Sequence, residues 1–160
     1  MGIILFIVAL PLVVVLSIPA LLHTIAGAIR WKGEFRYVDR AFFNGARAID
    51  IFGNVAYGSM LNDLFIKRGG YHYGQGSETI SSATGKNWVL GKLTFLGMGL
   101  AGTLNLIDKD HCWKYIEGDR AQYDLLGKPK RVPIVYTLAF IITSIYLLYM
   151  LVRLFWWITF

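Results

Sequence analysis

From Ile3 to Ile29 the chain carries no Asp, Glu, Lys or Arg. A bilayer-crossing helix needs about 20 apolar residues, each rising 1.5 Å, to pass a hydrocarbon core of roughly 30 Å. The stretch Ile3 to Leu22 meets that length by itself. Pro11 and Pro19 would break a water-exposed helix, but bilayer helices tolerate proline where neighbours re-satisfy the freed carbonyls. The run is preceded only by Met-Gly, with no basic residue, and it exceeds the roughly 7–15 apolar residues of a cleaved signal. Residues 1–29 therefore read as a retained transmembrane helix.

A second charge-free run extends from Ile134 to Val152. Arg153 follows, able to snorkel to headgroups, and then Trp156 and Trp157 form an aromatic end. Residues 133–160 read as the second transmembrane helix. Only 16% of the 160 residues are charged and 56% are hydrophobic, which excludes a disordered chain. The single cysteine, Cys112, excludes an intrachain disulfide scaffold.

Charge placement predicts topology. Fifteen of the sixteen Lys and Arg, and all ten acids, lie between Arg30 and Arg131. Arg30 and Lys32 follow the first span; Lys128, Lys130 and Arg131 precede the second. Basic residues at both inner ends place the middle on the cytoplasmic side and both termini outside.

The middle, residues 30–132, reads as a polar, interfacial helical module. Phe42, Ala46, Ile49, Phe52 and Ala56 recur at helical spacing. They suit either the core face of a small domain or a helix lying in the headgroup layer. Lys67 to Gly76 reads as a loop. Trp88 to Ile107 holds one charge, Lys92, in 20 residues. It is a possible re-entrant or third membrane helix, although four glycines and the lysine disfavour a full crossing. Gly91, Gly99 and Gly102 would permit close helix contact. The expected fold is mostly α: an integral membrane protein with two terminal transmembrane helices bracketing a short interfacial helical module.

Several chemistries can be weighed. Gly85-Lys86 lacks the earlier glycine and the following Ser or Thr of a phosphate-binding loop, because Ile80 and Asn87 occupy those positions. His72, Asp108, Asp110, His111 and Cys112 are ligand types without a metal-site spacing, so neither metal nor cofactor is expected. Cys112 beside His111, with Glu78, is the one constellation for a membrane-bound thiol or hydrolytic enzyme. A lone cysteine is more often packed as a small hydrophobe. Ser81 and Ser82 lack a nucleophile-elbow context. The middle carries 15 basic and 10 acidic residues, interleaved, and anionic headgroups explain that excess more simply than nucleic acid does. A purely structural reading serves the same polar residues. Glu78 pairs with Lys86, Ser77 or Thr79 caps a helix, and Ser81 and Ser82 bond backbone at its start. Asp108, Asp110 and His111 then cap neighbouring helices over a packed Cys112.

Three segments between Ile49 and Cys112 form a recognisable pattern: IDIFGNVAYGSMLNDLFI, ETISSATGKN and LNLIDKDHC. Together they resemble small membrane proteins encoded by bacteriophages and prophages, which carry an "ETISS..GKN" segment followed, after an apolar helix, by "ID..HC". The resemblance covers about 65 of the 160 residues. It implies a phage context and points to Glu78, Thr79, Ser81, Ser82, Lys86, Asp108, His111 and Cys112, without implying a mechanism. The expectation is a non-enzymatic phage-type membrane protein with a structural or interaction role. It would sit in a virion internal membrane or a host inner membrane, in contact with lipid and with a protein partner or itself. Lysis or superinfection exclusion is the alternative role.

Overall fold

The computed structural model describes residues 2–30 and 35–159, which form eight helices. Lys32, expected to anchor the first span, lies outside the described residues. The chain divides into two compact units, Met1–Ala48 and Ile49–Phe160, and the division falls within the second helix.

In the first unit, α1 runs Gly2–Arg30 and contains both Pro11 and Pro19. At 1.5 Å per residue its 29 residues extend about 43 Å. Ser17 donates to the carbonyl of Val13 at 2.7 Å and Thr24 to that of Ala20 at 2.9 Å. Each hydroxyl is thus satisfied by its own helix. The second helix, α2, spans Phe35–Ala56. Its apolar stripe does not form a core face: Phe42 is 57% and Ile49 72% exposed, and Phe52 is exposed too. Near its end, the adjacent face is the buried one. It carries Gly53 and Asn54, both buried, and the half-buried Asp50.

The second unit is built around a small core of Leu61, Phe65, Ile66, Tyr73, Ala83, Trp88, Leu93, Ala101 and Cys112. Helix α3, Gly58–Phe65, contributes Leu61 and Phe65. A single antiparallel bridge joins Ile66 to Leu93. There the Lys67 amide donates to the Lys92 carbonyl at 2.7 Å and the Thr94 amide to the Phe65 carbonyl at 3.0 Å. Helix α4 is Ile80–Val89, and α5 is Phe95–Ile107. The apolar stretch 88–107 is therefore not one helix. It breaks at Gly91, whose φ of +65° favours glycine, and restarts at Thr94, whose hydroxyl oxygen accepts from the Gly97 amide. The 13 residues of α5 rise about 20 Å, too short for a crossing.

Two short helices follow, α6 (His111–Lys114) and α7 (Arg120–Leu126), and then α8, Ile134–Thr159. Helix α5 packs on the first turns of α8 through glycines. A Cβ at Gly99 would strike Phe140, and one at Gly102 would strike Thr137. Gly91 has no part in this contact. Among the described residues, two helices are long and apolar enough to cross a membrane, within Pro11–Arg30 and Ile134–Thr159.

Candidate functional site

Helix α4 carries the ETISS..GKN residues, and its position is unusual for so polar a sequence. Every residue from Ser81 to Trp88 is buried. A buried polar helix is stable only if its side chains find partners. Among the described residues no buried side-chain nitrogen or oxygen lacks one.

The start of the helix is held twice. Thr79 is the N-cap, its hydroxyl oxygen accepting from the Ser82 amide at 3.1 Å. Asp50 of α2 supplies a carboxylate to the same end, accepting from the amides of Ile80 at 3.1 Å and Ser81 at 3.4 Å and from the Ser81 hydroxyl at 2.6 Å. A negative group there complements the positive end of the helix.

An enclosed ion pair joins the residue before the cap to one about two turns into the helix. Lys86 Nζ is 2.6 Å from Glu78 Oε1, with the two side chains 7% and 6% exposed. Glu78 also accepts from Ser82 Oγ at 2.5 Å and from the Tyr71 hydroxyl at 2.7 Å. The ammonium lies over the Tyr71 ring at 4.2 Å and near that of Tyr123 at 5.9 Å, so its charge meets aromatic faces where carboxylate does not reach. Burial pulls the Lys86 ammonium down, but hydrogen bonds to Glu78 and Tyr71 and their charges together hold it above its usual value. Burial, then the bond to Glu78, pushes Tyr71 up.

Three asparagines bracket the loop that approaches this pair. Asn87 donates to the Tyr71 carbonyl at 2.7 Å and accepts from its amide at 2.8 Å. Asn62 treats Tyr73 the same way, at 3.2 and 2.7 Å. Asn54 donates to the carbonyls of Gln75 and Glu78 and accepts from the Gly74 amide. Each amide side chain stands where a neighbouring strand would stand. Tyr73 reaches the Thr84 hydroxyl at 2.9 Å, and burial pushes its own hydroxyl up to about 12.

The DHC residues close over the same helix. Gly85 is the point of contact, since a Cβ there would collide with the Cys112 carbonyl. His111 Nε2 is 3.2 Å from Ser81 Oγ, and its Nδ1 is 3.5 Å from Asp108. This line of Asp108, His111 and Ser81 has the order of a hydrolase relay, but the Ser81 hydroxyl already donates to Asp50. The Ser81 proton is thus directed at Asp50 and not at the imidazole. Asp108 is held more closely by Lys114, at 2.6 Å. That hydrogen bond lowers the carboxyl and raises the ammonium.

Cys112, His111 and Glu78 each stand in a different setting. Cys112 is wholly buried. Burial, and then the charge of Asp50, pushes its thiol up to about 12, away from the thiolate that acts as a nucleophile. His111 faces Ser81, with its ring 4.6 Å from that of Tyr115, and Glu78 is committed to Lys86. Among the described residues no group of three His, Cys, Asp or Glu is placed to hold a metal ion.

Of the anchoring residues, Arg30 closes the last turn of α1. Lys128 is tied to Asp110 at 2.5 Å, a bond that lowers the Asp110 carboxyl. Lys130 and Arg131 are exposed before α8, and Arg153, Trp156 and Trp157 are exposed within it.

The residues singled out from the sequence motifs thus meet in space; Asp50, Asn54, Asn62 and Asn87 lie within the same segments but were not singled out, and Tyr71, Tyr73 and Tyr123 lie outside them. Asp50 and Asn54 also stand four apart on a helix otherwise read by its apolar stripe. No family model, no curated protein and no solved structure matches the chain.

Proposed function

We propose that the protein is a non-enzymatic, membrane-anchored interaction module. In this reading α1 and α8 cross a bilayer and the polar middle lies in the headgroup layer on one side. The observation that carries it is that, beside the small apolar core of residues 49–160, polar side chains are enclosed while large apolar ones are left outside. Glu78, Lys86, Ser82, Asn54 and Asn87 are inside, while Phe52, Val55, Met60, Leu64, Leu106 and Ile107 are exposed. In water such a surface would drive association. Against lipid it is the surface that belongs outside. The polar cassette supports this reading because its donors and acceptors are taken up by one another, which makes it a scaffold for the outer apolar surface. The motif resemblance adds a setting, a phage or prophage protein of a host inner membrane or virion membrane, whose partner is a second protein or a second copy.

Carbonate washing of membranes from expressing cells tests the reading. Retention of the full chain in the pellet until detergent is added is the expected result. Recovery of a folded, monodisperse chain in a detergent-free fraction overturns it. Separately, His111→Ala and Cys112→Ala are expected to lower stability together with any assembly. A variant that keeps the wild-type melting behaviour and loses a turnover overturns the non-enzymatic assignment.

A further inference from the structure

The basic side chains of residues 49–160 fall into two groups. Lys86, Lys114, Arg120 and Lys128 each have a carboxylate partner. The other seven, including Lys67, Lys130 and Arg131, have no ion pair among the described residues. These three line one cavity of about 580 Å³, and no Asp or Glu shares its lining. That size is within the roughly 300–1,000 Å³ of small-molecule sites. A smaller neighbouring cavity of about 350 Å³ shares Arg131 but includes Asp110, so its charge is partly offset.

The rest of the larger cavity is apolar. Phe95, Met98 and Tyr136 contribute to its wall, with the Phe95 and Tyr136 rings 5.1 Å apart. Its place in the fold is equally specific. Thr94, the N-cap of α5, and Pro133, just before α8, both line it, so the positive ends of two helices adjoin the three cations. Neither helix has an acidic residue in its first turn. Ile134 begins the 26-residue apolar helix. The cavity therefore lies where the proposed span leaves the headgroup layer. Free phosphate would match only the basic part. An amphiphile with an anionic head matches both parts and the depth.

We propose that this cavity binds one anionic glycerophospholipid, with its phosphate among Lys67, Lys130 and Arg131 and its first acyl carbons along Phe95, Met98 and Tyr136. The proposal rests on the membrane reading of α8 and deepens it, from general attraction to a surface to a single built site.

Native mass spectrometry of the full chain in detergent tests it, with phosphatidylglycerol and phosphatidylcholine of identical chains as probes. The expected result is one phosphatidylglycerol retained in preference to phosphatidylcholine. Each of Lys67→Gln, Lys130→Gln and Arg131→Gln should weaken that binding roughly fivefold, and Arg153→Gln should leave it unchanged. Equal retention of the two lipids by the unmutated chain overturns the site, and this comparison needs no variant to fold. Persistence of the preference in the triple variant also overturns it. Displacement of the lipid by millimolar inorganic phosphate reassigns the cavity to a free anion and overturns the lipid. Carbonate extraction of the same preparation separates the two levels: a chain that resists carbonate but shows no headgroup preference loses the site alone, and one that washes off loses the membrane reading.

Discussion

Glu78 accepts from Ser82, Tyr71 and Lys86 at once, so changing it affects a charge and two hydroxyls. Glu78→Gln leaves the Lys86 ammonium enclosed without a counter-charge. The expected loss is about 3–5 kcal/mol, the usual result of removing one partner of a buried pair. Adding Lys86→Met should recover part of it, since the orphan charge goes, while Ser82 and Tyr71 still lack their carboxylate. Denaturant unfolding in detergent measures both, and a Glu78→Gln chain within about 0.5 kcal/mol of wild type would contradict an enclosed pair. Alkali probes other groups. Cys112 and Tyr73 titrate ordinarily at 9.0 and 10.0, but burial carries each to about 12. The folded chain therefore holds protons that the unfolded chain releases. Their contribution is complete below about pH 9 and declines as pH rises toward the folded values, by roughly 1.4 kcal/mol per pH unit per group. Lys86, also raised, has the same sign. A melting temperature that falls from about pH 9, with the first part of the fall absent in Cys112→Ser, is the expected profile; a flat one contradicts it. The Glu78–Lys86 pair and the Thr79 cap were legible because both are local, within one or two helical turns. The three asparagine brackets were not. An asparagine's local preferences are for turns and caps, and only the fold shows which distant backbone it meets.

At the scale of elements, glycines decide which helices touch. Of the three glycines read as permitting close helix contact, Gly91, Gly99 and Gly102, the last two meet α8 and Gly91 does not. The same sequence left the fate of 88–107 open, because composition could not locate the break. The break comes from Gly91 in a left-handed turn and the Thr94 cap, and from the Ile66–Leu93 bridge that binds the turn to α3. The α2 stripe was legible as helical but not as outward-facing, since periodicity identifies a face and not its partner. The contact itself is testable. Gly102→Ala places a Cβ against Thr137 Oγ1 and should destabilise by about 1–3 kcal/mol. Adding Thr137→Ala removes the colliding oxygen and should restore part of that. Gly45, where an added methyl group would meet nothing within 4 Å, is the control. Gly45→Ala should be neutral or stabilise by up to about 1 kcal/mol. Equal effects at Gly45 and Gly102 would remove the argument that glycine is required at the α5–α8 contact.

For the whole molecule, the long apolar helices lie at the two ends of the chain and nearly all its charge lies between them. If both cross a bilayer, the segments on either side of α5 must lie on one side, because α5, at about 20 Å, cannot carry the chain across. That consequence can be measured with little disturbance, because the native thiol is a silent background. Cys112 is wholly buried and its thiol is pushed up to about 12, so it should not react with a maleimide at neutral pH in the folded chain. Cysteines introduced singly at the exposed positions Gln75 and Leu125 should be labelled by a membrane-impermeant maleimide from the same side. A cysteine replacing the exposed Trp157 should be labelled from the other. In right-side-out cells the first two should become reactive only after the membrane is opened, given the basic residues at Lys128, Lys130 and Arg131 before α8. Reaction of Gln75→Cys and Leu125→Cys from opposite sides would require a crossing between them, and would overturn both the two-span topology and the placement of α5 against the first turns of α8.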